Sequence, residues 1–217
     1  MAIAVAQSRG GWISGLVGVL IFSGSLPATR VAVMDFDPLF LTVARASIAG
    51  ILALLILLMS RADRPKSSDW VSLMVVSGGV VVGFPLLTAL ALEHISSARS
   101  IVFIGLLPLA TAIFGMLRGG ERPRAVFWLF SLLGSGLVAG FAASGSGAND
   151  ASAIRGDLYM LGAIIVCGLG YAEGGRLSRR LRGWQVICWA LVISLIPMAV
   201  LCFATLPDSW TGISTQA

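Results

Sequence analysis

The sequence predicts an all-α polytopic membrane protein, a bundle of about seven transmembrane helices with almost nothing outside the bilayer. Three observations predict it. Of the 217 residues, 57% are hydrophobic and only 12% charged, too few polar side chains to coat a soluble domain of this length. The apolar residues come in blocks near the ~20 residues that cross a ~30 Å hydrocarbon layer. The 26 glycines recur inside those blocks, where small residues let membrane helices approach closely.

Taken in order, the blocks place helices at 12–33, 38–59, 70–92, 98–117, 124–143, 157–177 and 184–206. The first is long and follows a near-neutral start, so it reads as a spanning helix and not a cleavable signal. Asp37-Pro38 opens the second, and the polar run Arg61-Ala62-Asp63-Arg64-Pro65-Lys66 closes it. The third ends outside near Glu93 and His94, and the fourth follows at once. Pro123 sits where the N-terminus of the fifth helix accepts a proline. Ser144 to Asp150 is the most linker-like stretch, and the sixth and seventh helices follow it.

The net charge of +5 does not point to nucleic acid, because the basic residues are dispersed in short loops. With a cytoplasmic N-terminus, Arg9, Arg61, Arg64, Lys66, Arg118, Arg122, Arg124, Arg176, Arg179, Arg180 and Arg182 fall inside, eleven in all. Arg30, Arg99 and Arg155 fall outside, and Arg45 lies within a helix. The positive-inside rule favours that orientation. Cys167, Cys188, Cys202 and the single His94 have no metal-ligand spacing, so no metal site and no cofactor are expected. The cysteines read as small packing residues.

A repeat runs through the chain. Gly24 to Arg30, then Pro38, is matched by Gly170 to Arg176, then Trp184, at a constant displacement of 146 residues. Five helices fit within one period, and an odd number inverts the second copy in the membrane. Adding the same offset to Asp69 gives 215, so the second copy is expected to stop before its third helix.

Phe22-Ser-Gly-Ser-Leu-Pro-Ala-Thr-Arg30, followed by Asp37-Pro-Leu-Phe-Leu-Thr-Val-Ala-Arg45, resembles the opening hairpin of EamA-type transporters of the drug/metabolite transporter superfamily. Ala89 to Arg99, Leu106 to Phe114, Gly120-Glu-Arg122, and Gly156-Asp-Leu158 continuing to Arg179 are similar to later parts of that family. The resemblance implies a first EamA repeat over 12–143, a linker over 144–156, and a partial second repeat over 157–206, with the ten-helix pattern truncated after the seventh helix. It further implies a carrier of small metabolites, amino acids or drugs in the bacterial inner membrane, often an exporter. The expected partners are a small-molecule substrate and the lipid bilayer, and a homo-oligomer is left open.

Several residues qualify as candidate substrate contacts. Arg45 lies roughly 10 Å below the outer boundary, at ~1.5 Å of rise per residue. A cation there faces a wet cavity, a substrate carboxylate or an acidic partner such as Glu93. Glu173 is the only acid well within a predicted helix, away from its ends. It can be a proton-coupling site, or it can pair with Arg176 at i+3. Coupling predicts that Glu173→Gln changes the pH dependence of flux. His94 carries an imidazole, a candidate proton relay, but it sits at a helix end, which favours an interfacial role.

Pro27, Pro85, Pro108 and Pro197 fall within apolar helices, where a missing donor makes a hinge or cavity wall. Ser23, Phe84, Phe103 and Tyr171 lie near them as candidate pocket residues; each aromatic is also readable as packing or lipid-facing. Gly11-x3-Gly15, Gly79-x3-Gly83, Gly136-x3-Gly140 and Gly170-x3-Gly174 are packing spacings.

Other classes fare less well. The single lysine, Lys66, lies in a loop, which removes a retinal Schiff base. The absence of paired intramembrane aspartates or a metal motif leaves an enzyme no catalytic set. A seven-helix receptor, and a non-transporting fragment or structural membrane protein that needs a partner chain, stay open as alternatives.

Overall fold

The computed structural model describes residues 15–120, 123–144 and 150–206. They form α1 (Gly15–Ala32), α2 (Pro38–Met59), α3 (Ser67–His94), α4 (Ser97–Gly119), α5 (Ala125–Ser144), α6 (Ala151–Leu177) and α7 (Gly183–Ala204), with no strand among the described residues. All but α5 are long and apolar enough to cross a membrane, and α5 is apolar over Ala125–Val138. The protein is therefore the multi-pass helix bundle that composition predicts. Arg9, Gly11, Arg122 and residues 145–149 of the linker lie outside the described residues.

Local chemistry sets the helix ends. The Asp37 carboxylate accepts the backbone N–H groups of Leu39 (2.8 Å) and Phe40 (3.0 Å), and Pro38 in the first turn forfeits only a donor that has no helical partner. At the other end of α2, Ala62 N–H bonds Leu57 C=O (3.1 Å) and Arg61 N–H bonds Leu58 C=O (3.3 Å), a Schellman closure with Arg61 in the left-handed region at φ 47°. Ser96 caps α4 through the Arg99 N–H, and Gly120, at φ 65°, ends it. The sixth helix starts at Ala151 and not 157, because Asp150 accepts the Ser152 N–H at 3.1 Å. Arg155 and Asp157 are thereby helical, and the linker is shorter than the sequence suggests.

Two helices are irregular. In α3, a turn at Ser67–Asp69 leads into α-helix over Trp70–Val76, a wide π turn over Ser77–Gly83, and α-helix again over Phe84–His94. Pro85 has no N–H to donate, and its ring crowds the carbonyl one turn back, so the ladder widens before it. In α4, the helix breaks at Gly105-Leu106, with Pro108 just beyond. Pro27 similarly follows a break at Gly24, whereas Pro197 lies within an uninterrupted α7.

Helix α6 packs against α3 and α4, and α2 packs against α7. Glycine makes both seams possible. A Cβ at Gly79 would stand 2.3 Å from the Val166 carbonyl oxygen, and one at Gly170 would stand 2.7 Å from a Val80 methyl. On α2, a Cβ at Gly50 would meet Leu195 at 2.9 Å. Gly15, Gly136 and Gly140 have nothing within 4 Å, so their spacings serve no seam among the described residues. Buried Val43, Leu73, Val76, Val186 and Ala190 fill the core between α2, α3 and α7, and Ala91, Phe103, Met160 and Ile164 fill that between α3, α4 and α6. Outward faces carry Leu, Ile, Val and Phe, as lipid contact requires.

Candidate functional site

Five helices, α1, α2, α3, α6 and α7, surround a cavity of about 260 Å³. Its volume lies just below the ~300–1,000 Å³ usual for small-molecule sites, so it suits a compact solute. The apolar wall includes Phe22, Leu26, Val81, Phe84, Pro85, Ile187 and Leu191. The polar wall is Ser25, Thr29, Thr42, Arg45, Thr88 and Tyr171, and no carboxylate lines it among the described residues.

Secondary structure explains who reaches the cavity. The wide turn in α3 brings Val80, Val81, Phe84 and Pro85 to the wall. Apolar α2 carries Thr42, Arg45, Ala46 and Ala49 on one helical stripe, at i, i+3, i+4 and i+7. Thr42 and Thr29 donate their hydroxyls to the carbonyls of Pro38 (2.8 Å) and Ser25 (2.7 Å) in their own helices. Thr29 Oγ1 then accepts from Arg45 Nη1 at 3.2 Å. Among the described residues Arg45 has no ion pair, and Glu93 is exposed elsewhere. The acidic partner envisaged for Arg45 is not formed. Thr88, only 4% exposed, has no partner for its hydroxyl.

Of the residues singled out from sequence, Arg45, Phe84, Tyr171 and Pro85 line this cavity and the others do not. Ser23 donates its hydroxyl to Leu20 C=O (2.7 Å) on an exposed stretch of α1. Phe103 is buried in the core with Ala91 and Met160. Pro108 borders a separate gap between α4 and α5, and Pro27 and Pro197 are exposed. Thr29, Thr42 and Thr88 were not foreseen. The available signal was a hydroxyl in each of three apolar helices, but hydroxyls are common there because they bond their own helix.

Glu173 occupies a different place. It is fully buried, with its Oε1 accepting from Arg118 Nε of α4 at 2.6 Å and its Oε2 lying 3.8 Å from Arg176 Nη1. Arg180 pairs with the buried Asp69 at the same end of the bundle. At the opposite end, Arg99 grips Asp157 through two bonds of 2.8 and 2.7 Å. There Arg30 also donates to the Leu92 carbonyl, and His94 Nδ1 lies 3.2 Å from Ser152 Oγ. Helices α4 and α6 are thus tied at both ends, with the cavity off their shared seam.

The sequence model of the EamA-like transporter family matches residues 9–141. An uncharacterized transporter of Bacillus subtilis (strain 168), YdeK, is 64% identical over 211 residues, which span 97% of this chain and 72% of that protein. No solved structure matches the chain.

Proposed function

The chain belongs to the EamA-like transporter family and is a membrane transporter, and from that premise we propose that it carries small metabolites, amino acids or drugs through the cavity between α1, α2, α3, α6 and α7, in the export direction across the cytoplasmic membrane. The observation that carries this reading is a cavity set inside a lipid-facing bundle and bordered by Arg45, Thr88 and Tyr171. Lipid offers such polar groups nothing, whereas a polar solute in transit does. Val80 and Val81 form its wall where α3 is least regular, directly before Phe84 and Pro85, the kind of segment that carriers use at their sites.

In the same reading, 12–143 is one repeat of five helices and 157–206 opens an inverted second repeat. The side-by-side packing of α2 and α7, the helices related by the 146-residue offset, supports it.

The test uses the full chain in liposomes loaded with a panel of labelled amino acids, aromatic acids and amphipathic drugs. Ala49→Phe places a ring into the cavity, and we expect it to stop efflux of any transported solute. Leu129→Phe, on the exposed side of α5, leaves efflux intact. Equal efflux from the chain and from Ala49→Phe rejects the cavity as the route.

A further inference from the structure

Arg45 and Thr88 together define what the cavity would hold. A guanidinium carries five N–H donors and cannot shed its charge under ordinary conditions. One of them reaches Thr29, and no carboxylate meets the others among the described residues. The arginines with ion pairs named above each meet an acid: Arg99 with Asp157, Arg118 with Glu173 and Arg180 with Asp69 on another helix, and Arg176 with Glu173 on its own. None of those four lines the cavity, and Arg45 does. A cation at membrane depth without a counter-charge is costly, and a bound anion offsets that cost.

Thr88 points to a ligand independently. It is only 4% exposed, lines the same cavity and has no hydrogen-bond partner for its hydroxyl among the described residues. Thr29 and Thr42 have already spent their hydrogens on backbone carbonyls. A buried hydroxyl without a partner calls for a water or a ligand group to meet it, and Thr88 differs from the likewise unpartnered Ser100 in lining the cavity. Arg45 and Thr88 therefore leave the cavity with spare donors, while its acceptors are hydroxyl lone pairs. There is one cation and no anion to receive an ammonium. The remaining wall, Phe84, Leu26, Val81 and Ile187, is apolar.

We propose that the substrate is a compact organic monoanion, a carboxylate on an apolar or aromatic body, bound at Arg45 and Thr88. This rests on the cavity being the transport site. A phosphate dianion would lack a second cation, and an amine would lack an acid.

The experiment measures binding to the purified full chain in detergent of four probes with one aromatic body: phenylacetate, phenylacetamide, phenethylamine and phenyl phosphate. Phenylacetate should bind at least about 10-fold more tightly than the other three, the ratio expected when one charge-assisted contact contributes ~1.4 kcal/mol. Arg45→Gln should abolish the preference for phenylacetate over phenylacetamide, and Arg45→Lys should keep part of it. Thr88→Val, the variant that decides should Arg45→Gln not fold, should lower phenylacetate affinity several-fold and leave phenylacetamide unchanged. Phenethylamine or phenyl phosphate binding as well as phenylacetate overturns the proposal, as does an anion preference that survives Arg45→Gln or is undiminished in Thr88→Val. If none of the four binds while Ala49→Phe still blocks efflux of another solute, the monoanion proposal fails alone. If Ala49→Phe also leaves efflux unchanged, the transport reading fails with it.

Discussion

Arg45 and Glu173 show how far a single residue can be read. Both are ionised groups inside predicted spans, and elementary electrostatics marks both as sites that need a partner. For Glu173 the local partner was legible, because Arg176 at i+3 shares its helix face. The nearer partner is Arg118, 2.6 Å away on α4, and only packing brings that residue across. The pair also sets an asymmetry. Arg118 is 47% exposed and can reach water when its acid is gone, while Glu173 is fully buried and cannot. Arg118→Ala should therefore destabilise the protein by about 2 kcal/mol, the order expected when a buried charge loses its close partner. Glu173→Gln should cost less, since it strands no buried charge. Thermal unfolding in detergent checks the order. In liposomes, Glu173→Gln separates the two readings made from sequence: an unchanged pH profile of flux goes with the ion pair, and a shifted one with proton coupling.

At the scale of helices, termini were more legible than seams. Asp37-Pro38 announces the start of α2 because a carboxylate beside a proline satisfies the first turn without outside help. The apolar pattern places the start of α6 six residues late, at 157 against Ala151. The Ala151–Arg155 turn is not apolar, and its cap, Asp150, sat at the edge of a glycine-serine run. Pro85 disclosed an irregularity in α3 but not its form, since a kink and a wide turn both accommodate a missing donor. Spacing alone did not say which glycines matter. Gly79 and Gly136 each begin a Gly-x3-Gly, yet one faces the Val166 carbonyl and the other faces nothing. Gly79→Ala should accordingly lower stability by about 1–3 kcal/mol, as overpacking of a fixed backbone contact does. Gly136→Ala should have no measurable cost. Parallel melting curves of the two variants test the seam directly.

For the whole molecule, charge placement predicts how the bundle sits. The arginines on the loops after α2, α4 and α6 gather at one end, together with the Arg118–Glu173 and Arg180–Asp69 pairs. We expect that end to be cytoplasmic. A cysteine at Ser178 should then react with a membrane-impermeant thiol reagent only in inside-out vesicles, and one at Ser152 only in intact spheroplasts. The reverse pattern would invert the assignment. Cys167, Cys188 and Cys202 lie within helices α6 and α7, two of them buried, which keeps the background low.

The amino-acid sequence is enough to establish that this is a multi-pass helical membrane protein and which family it belongs to. Those properties are written in one dimension: the length of apolar runs, the side on which arginines fall, and the order of short motifs. Tertiary structure alone decided which polar groups share a cavity. Arg45 and Thr88 are 43 positions apart and Tyr171 a further 83, and each looks like an isolated polar residue in an apolar helix. Whether such a residue meets an acid, its own backbone or an open space depends on helix rotation and on close approaches at Gly50, Gly79 and Gly170. Spacing along one chain does not encode the angle between two helices.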